Sequence, residues 1–221
     1  MSIRGRFFAA TYDRMMTRVE HELLTDLRRE LLGGATGDVL EVGGGTGVNI
    51  AYYGPRVRSL TMTEPEPPML RRLQRRADDA GRPVTVLRAP AEDLPFEADS
   101  FDTVVSTLVL CGVTDQQRAL REAARVLRPG GRLLFIEHVR SDDERSARFQ
   151  DRMNWMSRLV TQCECNRPTQ ASIVDAGFVV DQLEHYTMPH APKFVRPVVA
   201  GVAGVPAGVG AHTQHSGTMA E

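Results

Sequence analysis

The sequence predicts an α/β fold, a doubly wound and mostly parallel sheet of seven strands with helices on both faces. Three observations carry that expectation. Short apolar runs alternate with stretches of helical periodicity from Val39 to Val199. The runs are apolar almost throughout, as strands covered on both sides are, rather than alternating in and out. The first run, Val39–Val42, breaks into the glycine turn Gly43-Gly44-Gly45-Thr46-Gly47, the connection that opens a helix after a buried strand.

The elements follow in order. Met16, Val19, Leu23, Leu27 and Leu31 fall on one helical face that Gly33-Gly34 ends, so residues 1–34 are expected to form an N-terminal helical cap. Val39–Val42 is the first strand, and a helix begins at Asn49–Tyr53. Ser59–Met62 is the second strand and Met69–Ala80 a helix; Val84–Leu87 and Phe101–Ser106 are strands three and four. Gln116–Leu127 is a helix stopped by Pro129-Gly130-Gly131, and Arg132–Ile136 is the fifth strand. Asp142–Arg148 is densely charged, a solvated helix, and Gln150–Val160 is mixed; together residues 142–168 are expected to be a small helical lid or insertion. Thr169–Ala176 is a short helix ended by Gly177, and Phe178–Tyr186 and Phe194–Val199 are the last two strands. A single domain is expected over 1–203, and the stretch from Gly201 onward reads as a frayed, flexible tail, with 204–221 outside the domain.

The 221 residues suffice for one domain with a sizeable core. Hydrophobic residues at 42% and charged residues at 25% are those of a soluble domain. A formal net charge of −1 argues against a global field for nucleic acid or anionic lipid. Three cysteines, an odd number, and the absence of a secretion signal point to a reducing, cytoplasmic setting. No apolar run reaches the roughly 20 residues of a membrane span; Val198–Val209 is rich in Gly and Ala and broken by Pro206. A monomer is the default expectation.

The chemistry-bearing residues sit where strands end, the place ligands occupy in open α/β sheets. Glu41 and the glycine turn follow the first strand. An acid ahead of the glycines would repel a pyrophosphate and suits a cationic ligand, such as the ammonium and sulfonium of S-adenosylmethionine (SAM). Glu64 follows the second strand, 17 positions past Gly47, where a carboxylate can accept from a ribose diol. Ala91-Glu92-Asp93 follows the third, Thr107-Leu108-Val109-Leu110-Cys111 the fourth, and Glu137-His138 ends the fifth. Taken singly, each has a plain structural reading: a tight connection, a loop acid, a helical turn.

The stretch from Val39 to Phe135 resembles the class I SAM-dependent methyltransferases, whose fold is Rossmann-like. Glu41, Gly43, Gly45 and Gly47 match the family's glycine-rich motif and Glu64 its ribose acid. Ala91–Phe96 with Phe101-Asp102 matches the adenine-side motif, and Arg125–Gly131 the turn into the fifth strand. Gly45–Asn49, Thr107–Cys111, Glu137–Val139, Cys163 with Arg167, and Val195-Arg196-Pro197 resemble the thiol S-methyltransferase branch and its bacterial relatives. That likeness implies SAM as methyl donor, with S-adenosylhomocysteine as product, and a small-molecule acceptor. It implies Glu41, Gly43, Gly45, Thr46, Gly47, Asn49, Glu64, Pro65, Ala91, Glu92, Thr107 and Leu108 at the cofactor, and Tyr12, Glu137, Trp155, Cys163 and Arg167 around the acceptor. The chain departs from the wider pattern at Pro90, which has no side-chain partner for adenine. Gln162 and Glu164 stand where the branch has other residues beside Cys163.

His138 is the candidate base or orienting group, since an imidazole titrates near neutrality; it could equally bond only to neighbouring backbone. Glu137 could orient that imidazole or meet a cationic acceptor. Cys163 and Cys165 are too close for a zinc pair, and no metal is expected. The arginines 71, 72, 75 and 76 read as a solvated helix face. Besides S-methylation, N-, O- or C-methylation of a lipid amine, quinone precursor or natural product stays open, as does a SAM-binding module without catalysis.

Overall fold

The computed structural model describes residues 23–161, 163–189 and 191–206. Its elements are α1 (Thr25–Gly33), β1 (Gly37–Val42), β2 (Val57–Thr63), α2 (Pro67–Asp78), β3 (Thr85–Leu87), β4 (Phe101–Thr107), α3 (Gln116–Val126), β5 (Leu127–His138), α4 (Glu144–Thr161), α5 (Thr169–Asp175), β6 (Val179–Thr187) and β7 (Pro197–Gly204). Two 3-10 turns, Val48–Tyr52 and Lys193–Val195, complete the chain path.

The strands form one seven-stranded sheet in the order β3-β2-β1-β4-β5-β7-β6. All pairs are parallel up to β5; β7 runs antiparallel between β5 and β6. The order reverses at β1, whose neighbours are β2 and β4. That reversal opens a crevice at the carboxyl ends of β1 and β4. There Glu41 pairs with Val105 and Val42 with Ser106, which sets the glycine turn beside Thr107.

Strand alternation sorts the core into two faces. Leu40, Val42, Val104, Leu133 and Phe135 pack with Leu120 and Ala123 of α3 and Ile173 of α5. Val39, Val105 and Leu134 pack on the other side with Leu32 of α1 and Leu73 of α2. A third group joins Leu24 and Leu27 to Cys111, Ile136, Cys163, Phe194 and Val198, with Met153 and Met156 of α4 against it. Helix α3 starts where the Asp115 side chain accepts from the Arg118 N–H at 2.9 Å, a cap worth about 1 kcal/mol.

Four expectations need correcting. After the glycine turn only a 3-10 turn forms, because Tyr53 is extended (ψ +122°) and Gly54 follows at once. The fifth strand begins at Leu127: Phe101 pairs with Leu127 and Thr103 with Arg132, so Arg128–Gly131 loops out of a strand that continues beyond it. The charged stretch and the mixed stretch are one 18-residue helix, α4. The last strand is shifted: Phe194 lies in a 3-10 turn, and Pro197 starts a strand that runs through Gly201 to Gly204. The small residues Ala200, Gly201 and Ala203 are what allow it to lie between β5 and β6. A Cβ at Gly201 would stand 2.7 Å from the Phe135 ring.

Candidate active site

The crevice is built from Glu41 outward. β1 delivers this carboxylate to the interior, where it is nearly inaccessible. Tyr53 donates its hydroxyl to Glu41 Oε2 at 2.5 Å, and Asn49 donates Nδ2 to Oε1 at 2.9 Å. Asn49 Nδ2 also reaches Thr107 Oγ1 at 3.1 Å, so the ends of β1 and β4 share one polar chain. Burial pushes the Glu41 pKa up to about 7, against the downward pull of Tyr53, Asn49 and the Arg28 guanidinium. The Asn49 Oδ1 atom is buried and accepts no hydrogen bond.

The glycine turn follows. Gly43, Gly45 and Gly47 all have φ between +57° and +82°, the left-handed region that side chains disfavour. At Gly43 space forbids a side chain as well, since a Cβ would lie 2.7 Å from Val109. Thr46 is buried beneath the turn and accepts from Arg76 Nη1 at 3.4 Å, on the side of α2.

Glu64 ends β2 and ties the turn to it. Its Oε2 accepts from Gly45 N–H and its Oε1 from Glu66 N–H, both at 2.9 Å. Burial raises its pKa to about 7, opposed by those two bonds. A carboxylate offers about four lone-pair positions, so two further donors can still be met. The Pro65 carbonyl accepts from Arg88 Nε at 3.1 Å. After β3, Ala91 is packed in the core, and Glu92 turns to the start of α3, accepting from Thr114 N–H at 2.7 Å. Asp102 lies at the opposite, amino-terminal end of β4, where it accepts from Asp38 N–H and pairs with Arg128.

The loop after β4 is held under strain. Leu108 adopts φ +56° and donates its N–H to the Ile136 carbonyl at 2.7 Å. A non-glycine residue there costs about 1–3 kcal/mol and needs surroundings that impose it. Glu137 supplies them: fully buried, it accepts from Ser106 Oγ at 2.7 Å and Val109 N–H at 3.0 Å. Burial lifts its pKa to about 7 despite these donors. Arg167 grips the same loop, with Nη1 on the Leu110 carbonyl (2.8 Å), Nη2 on that of Val113 (2.7 Å) and Nε on Glu164 (2.9 Å).

Adjacent residues of a strand face opposite ways, so Glu137 and His138 do not meet, and Glu137 does not orient the imidazole. His138 lies towards the carbonyls of Val195 and Pro197, with Nδ1 buried and unbonded. Burial depresses its pKa to about 4, the carbonyls opposing. Cys163 is buried; contact between it and the Cys111 thiol, reinforced by burial, raises the Cys111 pKa well above the ordinary value. Trp155 stands outward on α4, 66% exposed. Tyr12 lies outside the described residues.

Glu41, Asn49, Thr107, the three glycines, Glu64 and Leu108 therefore gather around one crevice. Thr46, Glu92 and Trp155 turn elsewhere. Tyr53 and Arg28 were missed. An arginine at Arg28, within the apolar spacing Leu24, Leu27, Leu31, was the available signal for the second.

A methyltransferase-domain family matches residues 40–135. The human thiol S-methyltransferase TMT1A is 34% identical over 205 residues, spanning 89% of this chain and 82% of the relative. Phosphatidylethanolamine N-methyltransferase of Cereibacter sphaeroides is 35% identical over 130 residues, spanning 55% of this chain and 64% of the other. A SAM-dependent methyltransferase structure from Thermotoga maritima, described as a possible histamine N-methyltransferase, superposes with a TM-score of 0.67 at 22% identity, covering 93% of this chain and all of that one. The chain belongs to the class I SAM-dependent methyltransferases. SAM is its cofactor, and the crevice fits it: the unbonded Asn49 Oδ1, the side-chain-free turn and the acceptor-rich Glu64 suit an ammonium, a close-lying chain and a diol.

Proposed function

We propose that this protein is a thiol S-methyltransferase acting on a small-molecule thiol, with one catalytic domain spanning residues 1–203. The observation that carries the reading is coverage. Likeness to the thiol S-methyltransferase extends over 89% of the chain, whereas likeness to the lipid-amine enzyme spans 55%. The family-wide match itself ends at residue 135. The segments after β5 lie beyond that family-wide match, and the longer likeness, over 205 residues, is too long to exclude them.

When bound, SAM supplies a methyl group on a sulfonium leaving group and departs as S-adenosylhomocysteine. The chain's own work is to bind, orient and exclude water. Glu64 would accept the ribose hydroxyls, and the Gly43–Gly47 backbone would admit the donor closely. The Asn49 amide, held by Glu41 and Thr107, would receive the ammonium. In the transfer a sulfur lone pair of the acceptor forms the new carbon–sulfur bond as the sulfonium bond breaks, and the thiol proton leaves to solvent. A thiol with pKa near ~8.5 is already a few per cent thiolate at neutral pH.

His138 enters this reading as a hydrogen-bond acceptor rather than a base. With its pKa pushed to about 4, full proton transfer from an ordinary thiol would be uphill by roughly 6 kcal/mol. Glu137, Arg167 and Cys163 enter as groups that shape the acceptor wall through the loop after β4. The test is product analysis with SAM against panels of small thiols and of amines. Methyl thioethers formed from the thiols are expected; turnover confined to amines, phenols or enols would reject the reading.

A further inference from the structure

Helix α4 presents two opposite characters, and its rotation is fixed. The buried Gln150 amide donates to the carbonyls of Val139 (3.0 Å), Cys165 (2.9 Å) and Phe194 (3.1 Å), which anchors one side of the helix to three separate segments. Ala147 and Ser157 are buried on that side. The outward side then carries Trp155 and Leu159, 66% and 57% exposed, together with exposed Arg145, Arg148 and Arg152. At 3.6 residues per turn, positions 148, 152, 155 and 159 fall within an arc of about 60°. Trp155 is the chain's single tryptophan. A large apolar pair ringed by arginine is an informative exposure, unlike a scattered leucine.

We propose that this face of α4 docks on an anionic lipid surface. Trp155 and Leu159 would enter the interfacial layer, the depth tryptophan favours. The arginine stems would lie along the apolar boundary with their guanidinium groups on the lipid phosphates and carboxylates. The face calls for a partner both apolar and negative. Along α4 four arginines stand against one glutamate and one aspartate. Arg148 pairs with Glu144 and Arg158 with Glu164 at 3.3 Å, exposed pairs that leave the helix net positive. A second copy fits poorly, because a two-fold contact would set arginine against arginine. Residues 1–22 fit no better by charge, with four arginines against three acids. The mode is peripheral: among the described residues no helix is long and apolar enough to cross a membrane.

One tryptophan makes the test direct. Trp155 emission is followed while full-length protein is titrated with vesicles of phosphatidylcholine alone or mixed with phosphatidylserine. A blue shift is expected with the mixed vesicles only, weakening at high salt and quenched by lipids brominated in the acyl chain. The double variant Arg145→Glu/Arg152→Glu should weaken vesicle partition about tenfold or more, and Leu159→Ser should also weaken it. Both should keep the far-UV circular dichroism and SAM affinity of the parent chain. An unchanged spectrum with anionic vesicles overturns the proposal. So does an equal response to neutral vesicles, binding to a polyanion such as heparin without any lipid response, or self-association that alone shifts Trp155.

Discussion

Tyr53 donates its hydroxyl to Glu41 at 2.5 Å inside the core behind the glycine turn, so the acid of the glycine motif is held by the protein itself. Both partners are buried, and each disturbs the other. Burial lifts the Glu41 pKa to about 7, while burial and the Glu41 charge drive Tyr53 well above its ordinary range. Tyr53→Phe removes a charge-assisted bond and should cost about 1.5–3 kcal/mol where Glu41 is ionised. The loss should shrink near pH 5.5, where the carboxyl is protonated. Urea unfolding of both proteins at pH 8 and pH 5.5 checks this; an equal loss at the two pH values would count against an ionised Glu41.

Glu64 is the residue on which donor affinity should depend most directly. It holds the turn through Gly45 and the start of the next segment through Glu66. Glu64→Ala removes the acceptors a ribose diol would use, so SAM affinity should fall by roughly 1.5–3 kcal/mol, the worth of hydrogen bonds to a charged group. Calorimetric titration with SAM gives the number. Affinity unchanged from the parent chain would remove Glu64 from the ribose.

The parallel half of the sheet was legible because β1, β4 and β5 carry largely apolar runs, and glycine or proline follows soon after β1, β2 and β3. The positions of Glu41, Gly43, Gly47 and Glu64 beside strand ends were legible for the same reason. The last strand was misplaced because its pairing rests on Ala200, Gly201 and Ala203, whose value lies in what they do not contact. Gly201 admits the Phe135 ring, and no local pattern announces that. The side-chain directions of Thr46, Glu92 and Trp155 were not legible, for a different cause. Nearness in sequence to a strand end says which loop a residue occupies, whereas Arg76, the Thr114 N–H and the rotation fixed by Gln150 decide where each side chain points.

Acidity should act on stability and donor affinity in opposite directions. Burial raises the pKa values of Glu41, Glu64 and Glu137 to about 7, above the ordinary carboxylate value. Between about pH 5 and 7 the folded chain then holds protons that the unfolded chain has released, so stability falls as pH rises through this window. His138, with its pKa lowered to about 4, opposes this up to its ordinary range, one group against three. A cationic donor favours the ionised carboxylates. SAM affinity should therefore rise from pH 5.5 to 8, with proton release on binding near pH 6.5. Titrations in buffers of different ionisation enthalpy measure both, and a flat affinity profile would refute the coupling.

In the proposed reading Arg167 should bear on acceptor handling more than on donor handling. Its guanidinium spans the carbonyls of Leu110 and Val113, and through them the loop that contains the strained Leu108 and the buried Cys111. A lysine ammonium is a point charge and cannot reproduce the planar fork that meets two separate carbonyls. Arg167→Lys should leave one carbonyl unsatisfied, at about 1–3 kcal/mol of stability, and loosen the loop beside the acceptor wall. Glu41, Asn49 and Glu64 lie on other elements and keep their bonds. The expected signature is a rise of about tenfold in KM for a thiol acceptor, with the KM for SAM changed by less than about twofold. Steady-state kinetics with each substrate varied in turn reads the two values. If both rise together, Arg167 acts on the whole crevice through global loosening, and the division of labour between the two loops is wrong.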